Sequence, residues 1–185
     1  MTNIMSTKTK LFGMLVIMAN LFHINPQTAF PQLNDNIDQT KLYDFWVGKW
    51  ELSWEDTEVP GGMAKGRNQI QKILDGRVIE EKFEALNGSY KGFKGKSYSV
   101  YDSVSGQWKQ TWIDNQGSYL DFKGKTQANK RIFFREGHNR EGKEIRQRMV
   151  FHNIKNDSFI WDWEVAEGMD GNWQLKWRIY YNRTE

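Results

Sequence analysis

The chain has 185 residues, enough for one ordinary domain with its own core and too few for two comfortable ones. It contains no cysteine, which excludes a disulfide framework and a cysteine-attached lipid. Its 26 Lys and Arg against 23 Asp and Glu give a formal charge of +3 without a basic stripe of the kind a phosphate backbone demands, so nucleic acid is not an expected partner.

The first 29 residues read as a secretory signal. Lys8 and Lys10 precede the apolar run Leu11 to Phe22, and the polar, Pro-containing HINPQTAFPQLND follows it. The run is too short for an integral membrane span, which needs about 20 apolar residues. The expectation is a signal peptide over 1–29, ending at Ala29, and an exported domain over 30–185, periplasmic or extracellular. Without the signal, 24 basic residues face 23 acidic ones.

Next, NDNIDQTKLYDFW (34–46) carries an Asx cap and apolar Ile37, Leu42 and Phe45 at roughly helical spacing, which predicts a short helix. From Gly48 the texture changes to short alternating runs separated by turn signals. Ten strands are predicted over 47–56, 64–74, 77–86, 93–102, 106–114, 117–126, 130–136, 142–154, 157–166 and 172–182. Between them lie PGG at 60–62, Asp75-Gly76, Asn87-Gly88, Ser105-Gly106, Asn115-Gln116-Gly117, Glu141-Gly142, Asn156-Asp157 and the MDGN run at 169–172. Such short connections favour tight hairpins and an up-and-down antiparallel order.

Nine tryptophans mark the faces of these strands. Trp46, Trp50 and Trp54 share parity, as do Trp108 and Trp112, Trp161 and Trp163, and Trp173 and Trp177. A spacing of two, as in Trp161 and Trp163, cannot lie on one helical face but is natural on one face of a strand. The residues between them are largely polar, so all nine indoles are expected on the apolar faces. Ten such strands without covering helices predict an all-β, closed antiparallel barrel, because closure removes the exposed edges. Barrels of this size hold side chains and a small ligand cavity.

FWVGKW, with a G-x-W motif on the first strand after a short helix, resembles the calycin superfamily of lipocalins and fatty-acid-binding proteins. In lipocalins that Trp closes one barrel end against a basic residue of the last strand, a part that the resemblance offers to Arg178 or Arg183. FWVGKWELSW together with GQWKQTWIDNQG (106–117) is also similar to the bacterial domain-of-unknown-function family 1579, over nearly the whole mature chain. The resemblance implies a ten-stranded calycin-like barrel and brings no established activity.

On the third strand, Ile79, Phe83 and Ala85 share parity with Glu81. An inward carboxylate must find a partner or shift its pKa upward, since burying an unpaired charge is costly. Two readings stand: a cavity acid, base or polar anchor, or a structural Glu paired with an inward Arg or thrown outward by a bulge. Other inward polar candidates are Ser97, Ser99 and Tyr101, then Gln110 and Asp114, and Gln147 between Ile145 and Met149. For Asp114 and Asn115, turn chemistry competes with a site role.

No metal or other cofactor is expected. Neither His138 nor His152 belongs to a motif with ligand spacing. Haem-binding calycin barrels hold iron through a late-strand His, and the last strand here, NWQLKWRIYYNR, has none. No nucleophile motif is present.

The expected function is binding of a small hydrophobic or aromatic molecule in a Trp-lined cavity. Its expected ligand-binding residues are Trp50, Trp54, Glu81, Phe83, Ser97, Tyr101, Trp108, Gln110, Trp112, Gln147, Trp161, Trp163 and Trp177. The alternatives are a cofactor-independent enzyme of the isomerase, cyclase or hydrolase kind with Glu81 as acid or base, and a carbohydrate- or surface-binding module whose tryptophans would have to be exposed.

Overall fold

The computed structural model describes residues 38–168 and 171–184, so the expected signal segment over 1–29 lies outside the described residues. Ten strands follow one another: β1 (Gly48–Glu55), β2 (Met63–Ile73), β3 (Val78–Ala85), β4 (Lys94–Asp102), β5 (Gln107–Asp114), β6 (Tyr119–Gln127), β7 (Lys130–His138), β8 (Glu144–His152), β9 (Ser158–Glu167) and β10 (Gln174–Arg183). Each pairs antiparallel with its sequence neighbours, and β1 pairs with β10 (Trp50 opposite Arg183) to close an up-and-down barrel. The ten predicted strands are all present, with ends displaced by a residue or two.

The short helix expected before β1 is present as two single 3-10 turns, Gln39–Lys41 and Asp44–Trp46. Asp38 caps the first by accepting from the Thr40 N–H at 3.0 Å. Short 3-10 turns suit this segment because Leu42, Tyr43 and Trp46 must all enter the barrel. Together they plug one end. Tyr43 stacks on Phe133 at 4.4 Å, and its hydroxyl donates to the Ile132 carbonyl at 3.1 Å. Phe45 packs edge-on to Phe159, and Trp46 edge-on to Phe151.

Arg183 fastens the plug to the last strand. Its guanidinium donates to the carbonyls of Val47 (2.7 Å), Phe45 (2.9 Å) and Asn156 (2.8 Å), and lies 4.0 Å from the Trp50 ring centroid. Of the two arginines the resemblance offered as partners for Trp50, Arg183 occupies that position. Arg178 points outward and holds Asp162 through two bonds of 2.7 Å.

Three inward glycines make room for three inward indoles. A Cβ on Gly66 would lie 2.9 Å from the Trp54 ring and one on Gly95 2.0 Å from the Trp112 ring, while one on Gly124 would lie 2.6 Å from the Cβ that carries the Trp108 indole and 3.2 Å from the Phe133 ring. A ten-stranded barrel can hold this many large rings because positions facing them are left empty of side chain.

One expectation about the indoles is corrected. Eight of the nine belong to the interior cluster, but Trp173 lies outside it, with the guanidiniums of Arg148 and Arg146 at 4.1 and 5.1 Å from its ring. The cause is a register shift between Leu175 and Trp177. Leu175 pairs with the outward-facing Glu164, whereas Trp177 pairs with the inward Trp163. A bulge reverses the side-chain alternation, so Trp173 and Leu175 lose the parity of Trp177.

Candidate functional site

The barrel is filled unevenly. Around the plug, Tyr43, Trp46, Trp50, Phe133, Phe151 and Phe159 are all buried in mutual contact. Beyond them lies a cavity of about 210 Å³, lined by Glu81, Phe83, Phe93, Trp112, Asp114, Leu120, Met149, Trp161, Trp163, Trp177, Ile179 and Tyr181. Tyr181 marks the transition, since its ring also stacks on Phe159 at 4.2 Å in the packed half.

Indole planes form the cavity's walls. Trp161 and Trp163, successive inward residues of β9, lie nearly parallel, with 9° between planes and 6.4 Å between centroids. Trp177 of β10 stands at 89° to Trp161, at 5.9 Å. Phe83 sits edge-on to both Trp177 and Trp112. Tyr90 from the β3–β4 connection lies 5.0 Å from Trp177. Strand alternation puts these rings inward, and the empty position at Gly95 admits the Trp112 ring.

Glu81 supplies the cavity's deepest charge. The alternation that buries Ile79 and Phe83 turns it inward, and only 5% of it is exposed. Its carboxyl accepts from Asn68 Nδ2 and from Ser97 Oγ, both at 2.6 Å. Asn68 Nδ2 also donates to the Tyr181 hydroxyl at 3.1 Å, and Gln110 Nε2 donates to Ser97 and Ser99 at 3.3 and 3.1 Å. The paired-with-Arg reading of Glu81 is therefore replaced by one in which every partner is neutral. Burial penalises the carboxylate more than the Ser97 and Asn68 hydrogen bonds favour it, and the pKa is pushed up to about 7. The Tyr181 hydroxyl is raised well above its usual range, first by burial and then by the nearby Glu81 charge.

Asp114 behaves differently. Its Oδ1 accepts the backbone N–H groups of Gln116 (3.0 Å) and Ser118 (3.1 Å), and its Oδ2 accepts Trp112 Nε1 at 3.0 Å. Burial pushes its pKa up, but the donors led by the Ser118 N–H outweigh burial and hold it below the usual range. The turn reading of Asp114 is realised, and the carboxylate that caps the β5–β6 turn also lines the cavity. Asn115 is turn chemistry: its Oδ1 accepts the Lys94 N–H at 3.0 Å and its Nδ2 donates to the Gly92 carbonyl at 2.9 Å.

Six of the expected ligand-binding residues line the cavity together: Glu81, Phe83, Trp112, Trp161, Trp163 and Trp177. Ser97 and Gln110 are one and two hydrogen bonds away through Glu81. Trp54 backs the wall edge-on to Trp177 at 5.3 Å. Trp50 and Trp108 belong to the plugged end, where their indole N–H groups donate to the Trp46 and Gln39 carbonyls. Tyr101 packs on Trp108 at 6.0 Å, and Gln147 accepts from Arg135, whose guanidinium lies 6.0 Å from the Phe122 centroid. Phe93, Leu120, Met149, Ile179 and Tyr181 complete the lining. Alternation marked the last three as inward, but nothing in the sequence says which inward residues face a void.

A shallower depression of about 840 Å³ reaches the outer side chains of β1–β5 and includes Arg67, Lys82, Lys94 and Lys96. Arg67 and Lys94 are paired with Glu84 at 2.5 and 3.2 Å, so this face is largely satisfied by its own charges. Among the described residues, no three His, Asp or Glu side chains are grouped to hold a metal ion. No helix among them is long and apolar enough to cross a membrane.

Comparison with solved structures finds a redesigned β-barrel, 10% identical, with a TM-score of 0.40 over 78% of this chain and 96% of that one. No curated protein matches. The family described as "Protein of unknown function (DUF1579)" matches residues 40–183, the plug and all ten strands, and the chain belongs to that family.

Proposed function

We propose that the protein is an exported, calycin-like binding protein that takes up a small, largely apolar or aromatic molecule. One observation carries this reading: half of the barrel is packed solid while the other half keeps a cavity walled by Trp112, Trp161, Trp163 and Trp177. An apolar cavity of about 150 Å³ accommodates benzene, and drug-sized ligands need about 300 Å³ or more. The guest is therefore a single-ring or short-chain molecule, bound chiefly by burial of apolar area against the indoles. The calycin-like assignment draws support from Arg183 over the Trp50 ring of the G-x-W motif, and export from the apolar run after Lys8 and Lys10.

Native mass spectrometry of the protein purified from its own host tests this reading. A stoichiometric small molecule, released on denaturation and restored on refolding with the extract, is the expected result. An apo mass unmoved by a library of single-ring and short-chain compounds would reject it.

A second reading, general acid–base catalysis by Glu81, is favoured by its pKa near 7 on the wall of an indole-lined cavity. It requires turnover that is lost in Glu81→Gln while affinity for the same ligand persists. The surface-binding alternative draws on a single indole, Trp173, whose ring already carries two arginines.

A further inference from the structure

We propose that the guest of this cavity is a small organic ammonium ion, its apolar body against the indoles of Trp161, Trp163 and Trp177 and its positive charge answered by the carboxylates of Glu81 and Asp114. This rests on the binding reading above and narrows it to a class of ligand.

The charge census of the wall comes first. Of the residues lining the cavity, Glu81, Asp114 and Tyr181 are the titratable ones, and none is Lys, Arg or His. An inward cation does exist nearby, Arg135, but it is turned to Gln147 and to the Phe122 ring and does not line the cavity. An anionic guest would meet two carboxyls and no cation. A cationic one meets two carboxyls, both carried on the β3–β4–β5 wall.

The geometry of the rings agrees. Trp177 stands at 89° to Trp161, so two walls of the cavity meet at a right angle and present indole surface from two directions. Aromatic walls set this way attract a cation through the negative faces of their rings, most strongly when water is excluded.

Hydrogen-bond bookkeeping points the same way. The cluster behind Glu81 is itself short of donors, with Asn68 Oδ1 and Gln110 Oε1 buried and unpartnered away from the cavity wall, so it offers the Glu81 carboxyl nothing beyond Asn68 Nδ2 and Ser97 Oγ. An ammonium group brings only donors. The unpartnered donor on the wall, Trp177 Nε1, is left to meet a hydroxyl or carbonyl elsewhere on the guest.

Proton linkage follows from the groups around Glu81. Asn68 faces it from β2, Ser97 from β4 with Gln110 of β5 behind, and Tyr181 from β10, while Asp114 stands elsewhere on the wall. Tyr181 stays neutral and Asp114 stays ionised near pH 7, so Glu81 alone changes charge there. An ammonium ion binds the carboxylate form and is excluded less as Glu81 ionises.

The test compares three probes of nearly equal size: 2-phenylethylammonium, 2-phenylethanol and 3-phenylpropionate, titrated into the full-length protein by calorimetry and Trp fluorescence. The cation is expected to bind at least tenfold tighter than either of the others at pH 8. Its affinity is expected to fall about tenfold between pH 8 and pH 6, as a group of pKa about 7 takes up its proton. In Glu81→Gln that pH dependence should vanish and the preference shrink, and Asp114→Asn gives an independent second variant. If the alcohol or the carboxylate binds as well as the ammonium ion, the proposal is overturned while the binding reading survives. If none of the three perturbs the tryptophans, both fall together.

Discussion

Gly95 faces the indole of Trp112 across the β4–β5 ladder so closely that a Cβ on Gly95 would lie 2.0 Å from Trp112 Cζ2. The backbone of β4 is thus part of the cavity wall, and the wall's shape depends on a side chain that is missing. Gly95→Ala must drive the rigid indole aside. Overpacking of this kind costs about 1–3 kcal/mol. The variant is expected to unfold at lower urea and to show a changed near-ultraviolet tryptophan circular dichroism, whereas alanine at the open, outward Gly92 turn should leave the latter untouched.

Glu81 makes stability depend on pH in an identifiable window. Its folded pKa of about 7 lies above the ordinary 4.5, so between those values the native state holds a proton that the unfolded chain has released. Its contribution is therefore most favourable below about pH 4.5 and is lost as pH rises through 7, an effect on the order of 3 kcal/mol. Urea unfolding of wild type and Glu81→Gln from pH 5 to pH 8 should show the wild type losing ground steadily to the variant. Parallel curves would mean that the carboxyl is ionised throughout.

Arg183 ties β10 to the plug through the Phe45 and Val47 carbonyls and to the β8–β9 connection through that of Asn156, while lying over the Trp50 ring. Lysine keeps the charge but not the planar fork that reaches all three acceptors. Arg183→Lys is expected to cost about 1–3 kcal/mol, and Arg183→Met somewhat more, measured by chemical denaturation. Hydrogen exchange should rise first at Trp46 and Val47 rather than around the cavity.

The two environments of indole separate by mutation. Trp54, fully buried behind the cavity wall, should cost about 3–5 kcal/mol on replacement by alanine. Trp173, held on the outer surface by Arg146 and Arg148, should cost about 1 kcal/mol or less. Trp173→Phe should also remove the component of fluorescence most readily quenched by iodide. If it removes none, Trp173 is not on the outer surface.

The local pattern of the chain was enough to determine the ten strands, their hairpin order, closure and the inward direction of Glu81, Trp161 and Trp163. The physical reason is that side chains alternate with period two and turns have their own chemistry, so face and punctuation can be read without knowing any neighbour. Where the chain departs from strict alternation, that reading failed: the bulge between Leu175 and Trp177 carried Trp173 outward.

The tertiary structure alone decided which inward residues pack and which enclose space. Trp50 and Trp163 are alike in sequence texture, yet Trp50 meets Phe159 and Arg183 in the plugged end and Trp163 borders a void. Glu81 could be read as inward, but its neutral partners Asn68 and Ser97 come from two other strands. The contact of Gly95 with Trp112 likewise rests on the β4–β5 register, which pairs Gly95 with Asp114 and makes Trp112 its diagonal neighbour. Empty volume and the balance of charge around it arise from side chains far apart along the chain, and no local pattern carries that information.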